Sequence, residues 1–212
     1  DYTFPQKVVD TDGAVLRGVS RIAAGGDFSL ALQPGGFLYS WGQNDDAQLG
    51  HSQGTAIVPE ARPVVDAEGV PLTDLQAIAC GANFAIAATA AGEVLAWGAD
   101  AKGQLGTPAR RGTVTPQPVP GVSGAVSVAA GGECAGAVTA DGAVWTWGDN
   151  GYGQLGHGTT GAPEPPARVQ GLPAIQALAV GTNHMLALAG DGTVWAWGRG
   201  ELGRLGNNDT AD

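Results

Sequence analysis

Four 28-residue segments of this chain align with one another without a gap, and that repetition restricts its fold more than any other feature. They are residues 23–50 (AAGGDFSLALQPGGFLYSWGQNDDAQLG), 79–106 (ACGANFAIAATAAGEVLAWGADAKGQLG), 129–156 (AAGGECAGAVTADGAVWTWGDNGYGQLG) and 179–206 (AVGTNHMLALAGDGTVWAWGRGELGRLG). Trp-Gly recurs at Trp41, Trp97, Trp147 and Trp197, in steps of 56, 50 and 50 residues. Leu-Gly closes each segment at Gly50, Gly106, Gly156 and Gly206. A fixed period of this length marks stacked supersecondary units, each too small to bury its apolar face alone.

The pattern inside each unit is that of short strands. Asp141-Gly142 and Asp191-Gly192 are two-residue hairpin signals between apolar runs, and Gly35-Gly36 and Ala91-Gly92 hold the same place. Upstream lie "VSRIAAG", "LQAIACG", "AVSVAAG" and "IQALAVG", each read as a strand. Farther upstream, residues 5–8, 116–119 and 166–169 read Pro-x-x-Val, which the second unit replaces with Arg62-Pro63-Val64-Val65. Proline lacks an N–H to give to a ladder, so this strand belongs at a sheet edge. The expectation is one strand of this kind opening each unit, four strands per unit, and units at residues 5–50, 61–106, 116–156 and 166–206. No stretch reads as a long amphipathic helix. An all-β chain of four-stranded sheets repeated about every 50 residues is a β-propeller.

The repeat also disposes of a nucleotide-binding reading. Gly151-x-Gly153-x-x-Gly156 has the dinucleotide fingerprint spacing, and so do Gly198, Gly200 and Gly203, but in a different phase of the repeat. A phosphate loop sits between a strand and a helix, and neither site has that context. With 36 glycines in 212 residues and no every-third-residue period, glycine here punctuates turns. The 43% hydrophobic content supplies a core, and no apolar run approaches the roughly 20 residues of a membrane span. Net charge is −10, and Lys7 and Lys102 are the two lysines, so direct nucleic-acid binding and anionic membranes are disfavoured.

The units resemble the repeat of the regulator of chromosome condensation family: a Gly-rich turn, an apolar strand, a Gly turn, Trp-Gly, then Gly-Gln-Leu-Gly. The resemblance covers residues 5–206 and rests on Trp-Gly-x(7)-Leu-Gly four times in register. It implies propeller blades, usually seven to a ring in that family, whereas this chain carries four units. A ring could then be completed by a longer chain or by association with itself or with another subunit, or the four blades could close alone. Residues 207–212 (NNDTAD) look like the start of a further link.

Alternating strand direction sorts the loops into two ends. The turn carrying Asp27, Asn83, Glu133 and Asn183 shares one end, the top, with the loops after Trp-Gly. Those loops carry Asn44, Asp45, Asp46, Asp100, Lys102, Asp149, Asn150, Tyr152, Arg199 and Glu201. These residues are the candidates for binding a partner protein, and Arg110 and Arg111, the one dibasic pair, are a further docking candidate. The other end carries the Asp-Gly turns and the link hairpins, which are five residues longer in the first two units. Asp10-x-Asp12-Gly13 in the first hairpin lacks the bidentate Glu of a calcium loop, so no metal site is assigned.

Other groups read as structural. Trp41, Trp97, Trp147 and Trp197 keep strict phase, as packing residues do. The plant UV-B photoreceptors of the same family cluster tryptophans through Gly-Trp-Arg-His-Thr, and the matching turns here read "GGDFS", "GANFA", "GGECA" and "GTNHM". His184 shares its slot with Phe28, Phe84 and Cys134, and His51 and His157 share a loop position without an acidic partner evident in sequence. Cys80 and Cys134 read as buried thiols, with a blade-to-blade disulfide as the alternative, and no hydrolase or metalloprotease motif occurs. The expectation is a non-enzymatic, cofactor-free propeller that binds a protein through acidic loops. The resemblance adds two other readings: nucleotide exchange on a small GTPase, and inhibition of a secreted enzyme. The Ala, Gly, Val and Asp bias leans to a bacterial, extracytoplasmic or cell-surface source.

Overall fold

The computed structural model describes residues 3–51 and 56–208. Its strands fall into four antiparallel sheets, one for each repeat, as the alternating apolar runs require. Blade 1 is β1 (Arg21–Ala24), β2 (Phe28–Leu32), β3 (Leu38–Gln43) and β4 (Ile57–Pro63). Blade 2 is β5 (Leu75–Cys80), β6 (Phe84–Thr89), β7 (Val94–Gly98) and β8 (Thr113–Pro118). Blade 3 is β9 (Ala125–Gly131), β10 (Cys134–Thr139), β11 (Val144–Gly148) and β12 (Glu164–Arg168). Blade 4 has three strands among the described residues: β13 (Ile175–Val180), β14 (His184–Ala189) and β15 (Val194–Gly198). One single-turn 3-10 helix spans Glu201–Gly203, and no described helix is long and apolar enough to cross a membrane.

One strand falls in a different place from the sequence expectation. The Pro-x-x-Val segment does not open its own blade; it closes the one before. Residues 166–168 pair with β11 of blade 3, with Arg168 opposite Trp145, and Gln117 lies opposite Ala96 of blade 2. The prolines do sit on edge strands, where β4, β8 and β12 have one neighbour each. Sequence unit and blade are therefore offset by one strand, and each link runs from the outer edge of one blade to the inner edge of the next. Of the expected further link at residues 207–212, residues 209–212 lie outside the described residues.

The core sits in the seams between blades. Phe28, Leu30, Leu38 and Leu49 of blade 1 pack against Leu75, Ala85, Ala87 and Trp97 of blade 2. Ile86, Val94 and Leu105 pack likewise against Val128, Ala135 and Trp147. Each indole crosses its seam: Trp97 Nε1 donates to the Gln48 carbonyl at 3.0 Å, and Trp147 and Trp197 to those of Gln104 and Gln154 at 2.9 Å. Trp97 and Trp147 are fully buried, so each joins a large apolar area to a satisfied polar atom. At the lower end, backbone amides close the same seams, Asp74 to Gly35, Ala125 to Gly92 and Ile175 to Gly142. The fingerprint-spaced Gly151, Gly153 and Gly156 lie in turns after β11, with no helix behind them.

Candidate interaction face

The loops after Trp-Gly and the β1–β2-type turns do share one end. Backbone bonds join them in every blade: Gln43 to Asp27, Ala99 to Asn83, Asp149 to Glu133 and Arg199 to Asn183, at 2.8 to 3.0 Å. A repeated lock shapes each loop in blades 1 to 3. The side-chain oxygen of Asn44, Asp100 or Asn150 accepts the amide of Leu49, Leu105 or Leu155 at 2.9 to 3.1 Å. The Gln48, Gln104 and Gln154 side chains accept the amides two residues before them, at 2.7 to 2.9 Å.

This lock corrects two of the partner-binding candidates. Asp100 and Asn150 are buried, at 2% and 0% exposure, and turn inward to hold their loops; they are not displayed to a partner. Burial pushes the Asp100 carboxyl above its ordinary value, against the opposing pull of its bonds from Leu105 and Thr107. Asn44 is half-buried in the same role.

Other candidates face one another across seams. Asn83 Nδ2 donates to Asp46 Oδ2 at 2.9 Å between blades 1 and 2. Lys102 Nζ lies 3.6 Å from Asp149 Oδ1 between blades 2 and 3. The Arg199 guanidinium stands 4.5 Å over the Tyr152 ring between blades 3 and 4, and also pairs with Glu201. Lys102–Asp149 and Tyr152–Arg199 join the same two repeat positions, so the interlock is a property of the repeat. Arg110 is anchored as well, through Nη2 to the Pro163 carbonyl at 2.9 Å, and Arg111 stays exposed.

Asp27, Asp45 and Glu133 remain exposed, and Asn183 is half-buried. Asp27 and Asp45 line a cleft of about 390 Å³ at the top of blade 1, together with Gln43, Ala56 and Ile57. Gln43 Nε2 donates to Asp45 Oδ2 at 2.6 Å and fixes that carboxylate at the rim, and Ile57 is 69% exposed. Two carboxylates over an exposed aliphatic side chain suit a cationic segment with an apolar neighbour. Sequence reasoning missed Ala56 and Ile57 because they lie in a link that the repeat alignment does not cover, and Gln43 because its repeat position holds a different residue type in each unit, Ala99, Asp149 and Arg199.

The histidines divide. His157, with no acidic neighbour evident in sequence, bonds through Nδ1 to Glu164 Oε2 at 2.7 Å and through Nε2 to Thr146 Oγ1 at 2.8 Å. Burial works to raise the Glu164 pKa, but bonds from Thr159, His157 and Asn150 outweigh it and hold the carboxyl below its ordinary value. The arrangement ties a loop to β12. His51, at the matching position, is buried, and burial first and Arg62 second lower its pKa. Cys80 and Cys134 are free thiols, and burial raises the pKa of both. Asp10 accepts the amides of Asp12 and Ala14 and so closes its own turn.

Comparison with known proteins fits this geometry. The profile of the RCC1-like domain matches residues 1–212. The chain is 38% identical over 98 residues to the mitochondrial RCC1 domain-containing protein RUG3 of Arabidopsis thaliana, covering 46% of this chain and 21% of that protein. Among solved structures it is similar to Prp20p of Saccharomyces cerevisiae, with a TM-score of 0.79 at 24% identity, over 92% of this chain and 48% of that one. It is also similar to human WBSCR16, with a TM-score of 0.76 at 27% identity, over 92% of this chain and 50% of that one. The chain thus spans about a fifth of that curated relative and about half of these structural neighbours.

Proposed function

The chain belongs to the RCC1-like domain family, and from that premise we propose that it is a non-enzymatic scaffold whose acidic end face holds a basic, partly apolar segment of a partner protein. The observation that carries the reading is the cleft in which Asp27 and Asp45 flank the exposed Ile57. Loop locks and seam contacts engage most other polar groups of this end, whereas Asp27 and Asp45 stay exposed, the latter held by Gln43. Among the described residues no nucleophile lines the cleft. Prp20p is described by its binding to Gsp1p and histones. That likeness is one of fold, and it assigns no exchange residue to this chain.

The experiment is selection of displayed peptides on the wild-type chain, followed by titration on a D27N/D45N/E133Q variant. All three sites are exposed, so the fold should be retained. The expected consensus is Lys or Arg beside one aliphatic or aromatic residue, with affinity at least tenfold weaker on the variant and falling with salt. Undiminished binding to the variant would remove the acidic cleft from the proposal. Accelerated GDP release from a small GTPase would instead favour the exchange reading.

A further inference from the structure

We infer, on the reading of the cleft given above, that Gln43 is its gate: it caps the Asp45 carboxylate, and it turns inward to the buried Gln48 amide once a cationic side chain of the partner takes Asp45. Gln48 is fully buried, and its Nε2 has no hydrogen-bond partner. Which end of that amide is nitrogen follows from its other end, which accepts the Asp46 N–H at 2.9 Å. A backbone N–H can only donate, so the atom facing it is the oxygen. A buried donor without an acceptor costs free energy, and folded chains keep few of them.

Blade 3 shows where the Gln48 nitrogen points. Gln154 holds the matching place and accepts the Tyr152 N–H at 2.8 Å in the same way. Its Nε2 donates to Asp149 Oδ2 at 2.7 Å. Asp149 follows Gly148 as Gln43 follows Gly42, so residue 43 stands where the acceptor stands in blade 3. In blade 1 the side chain faces the other way, and Gln43 Nε2 donates to Asp45 Oδ2 at 2.6 Å. The counterpart of Asp45 in blade 3 is Gly151, so nothing there competes for residue 149. Gln43 thus chooses between a charge-assisted bond at the rim and a neutral bond in the interior, and the charged acceptor wins.

A cation reverses the choice. Lysine or arginine on Asp45 replaces the Gln43 amide with a fully charged pair, and the freed side chain turns its Oε1 to Gln48 Nε2. The bond lost at the rim is recovered in the interior, where a donor had none. Only the side chain has to move, between staggered rotamers. The Gln43 backbone is fixed by its N–H to the Asp27 carbonyl at 2.8 Å and by its pairing with Ile57 of β4. Asp46 offers Gln43 no second cap, because Asn83 holds it from across the seam. A ligand shifts two arrangements only through contacts that differ between them, and here the difference is the Asp45 carboxylate, capped in one and released in the other.

The test is side-chain amide NMR on the full chain, with acetyl-Lys-Ile-Lys-amide as the probe and with a D45A variant. In D45A the rim acceptor is gone, so the Gln48 amide protons should move downfield and exchange more slowly with water, with no peptide added. Titrating the peptide into the wild-type chain should move the same resonances in the same direction. Affinity supplies a second readout. Q48M leaves the released Gln43 without an inner partner and should bind the peptide about fivefold more weakly, the worth of one hydrogen bond. Q43A/Q48M should return to the wild-type affinity, a rescue that a damaged loop would not show. Peptide binding with the Gln48 resonances unmoved, in the titration and in D45A alike, overturns the gate and leaves the cleft reading standing. No binding by the wild-type chain, with the shift still present in D45A, overturns the cleft reading and supports the gate as a response to the Asp45 charge. Neither binding nor shift overturns both.

Discussion

Trp147 shows how one side chain serves both the core and the chain path. Its ring fills the seam between blades 2 and 3, and its N–H meets a carbonyl that has left water. Trp147→Phe should cost about 1–3 kcal/mol, the desolvation of an orphaned buried acceptor. Trp147→Ala should cost about 3–5 kcal/mol through the cavity. Trp41→Phe should cost under about 1 kcal/mol because, among the described residues, the Trp41 indole makes no hydrogen bond that would be lost. Equal losses at Trp41 and Trp147 in urea unfolding would contradict this account. Asp100 makes the opposite point. Asn44 and Asn150 do its work with an amide, and its carboxyl pKa is raised by burial. A raised folded pKa means that stability is fully present below the unfolded value of 3.8 and lost as pH rises through the folded value. Asp100→Asn should therefore match wild type near pH 3 and exceed it near neutrality by up to about 1 kcal/mol, a difference that paired thermal melts would detect.

At the scale of elements, the latch between the post-Trp-Gly loop of blade 3 and β12 is a pH-sensitive join. Glu164 accepts bonds from His157, Thr159 and Asn150, and its folded pKa is depressed. Its contribution is present above the unfolded value of 4.5 and is lost as pH falls through the lower folded value. Glu164→Gln should cost about 1.5–3 kcal/mol at pH 7, as expected for hydrogen bonds to a charged group, and the penalty should shrink as pH falls below 4.5. A penalty that did not shrink in acid would remove charge from the explanation. This join also marks where sequence reading stopped. The repeat phase, the hairpins and the sharing of one end by two loop sets are local or periodic, and all were legible. His157 meets Glu164 because the link returns to the outer edge of its own blade, and that return swaps Pro-x-x-Val from the next unit to the preceding sheet. Nothing local states which sheet an edge strand joins. The pairs Lys102–Asp149 and Tyr152–Arg199 were hidden for the same reason, since they form across a seam between units.

At the scale of the whole molecule, blades touch their sequence neighbours, so stability is close to a sum of blade and seam contributions. Blades 2 and 3 have a seam on each side. Blades 1 and 4 have one within the chain, and blade 4 carries three strands among the described residues. The fully buried Phe84, Ile86 and Ala88 of β6 contrast with Leu188 and Val194 on β14 and β15. Hydrogen exchange should therefore release the amides of β14 and β15 first, with those of β6 and β10 last and set by global unfolding. Equal protection of β6 and β15 would mean that the four blades behave as one cooperative block, and the additive picture of blades and seams would have to be given up.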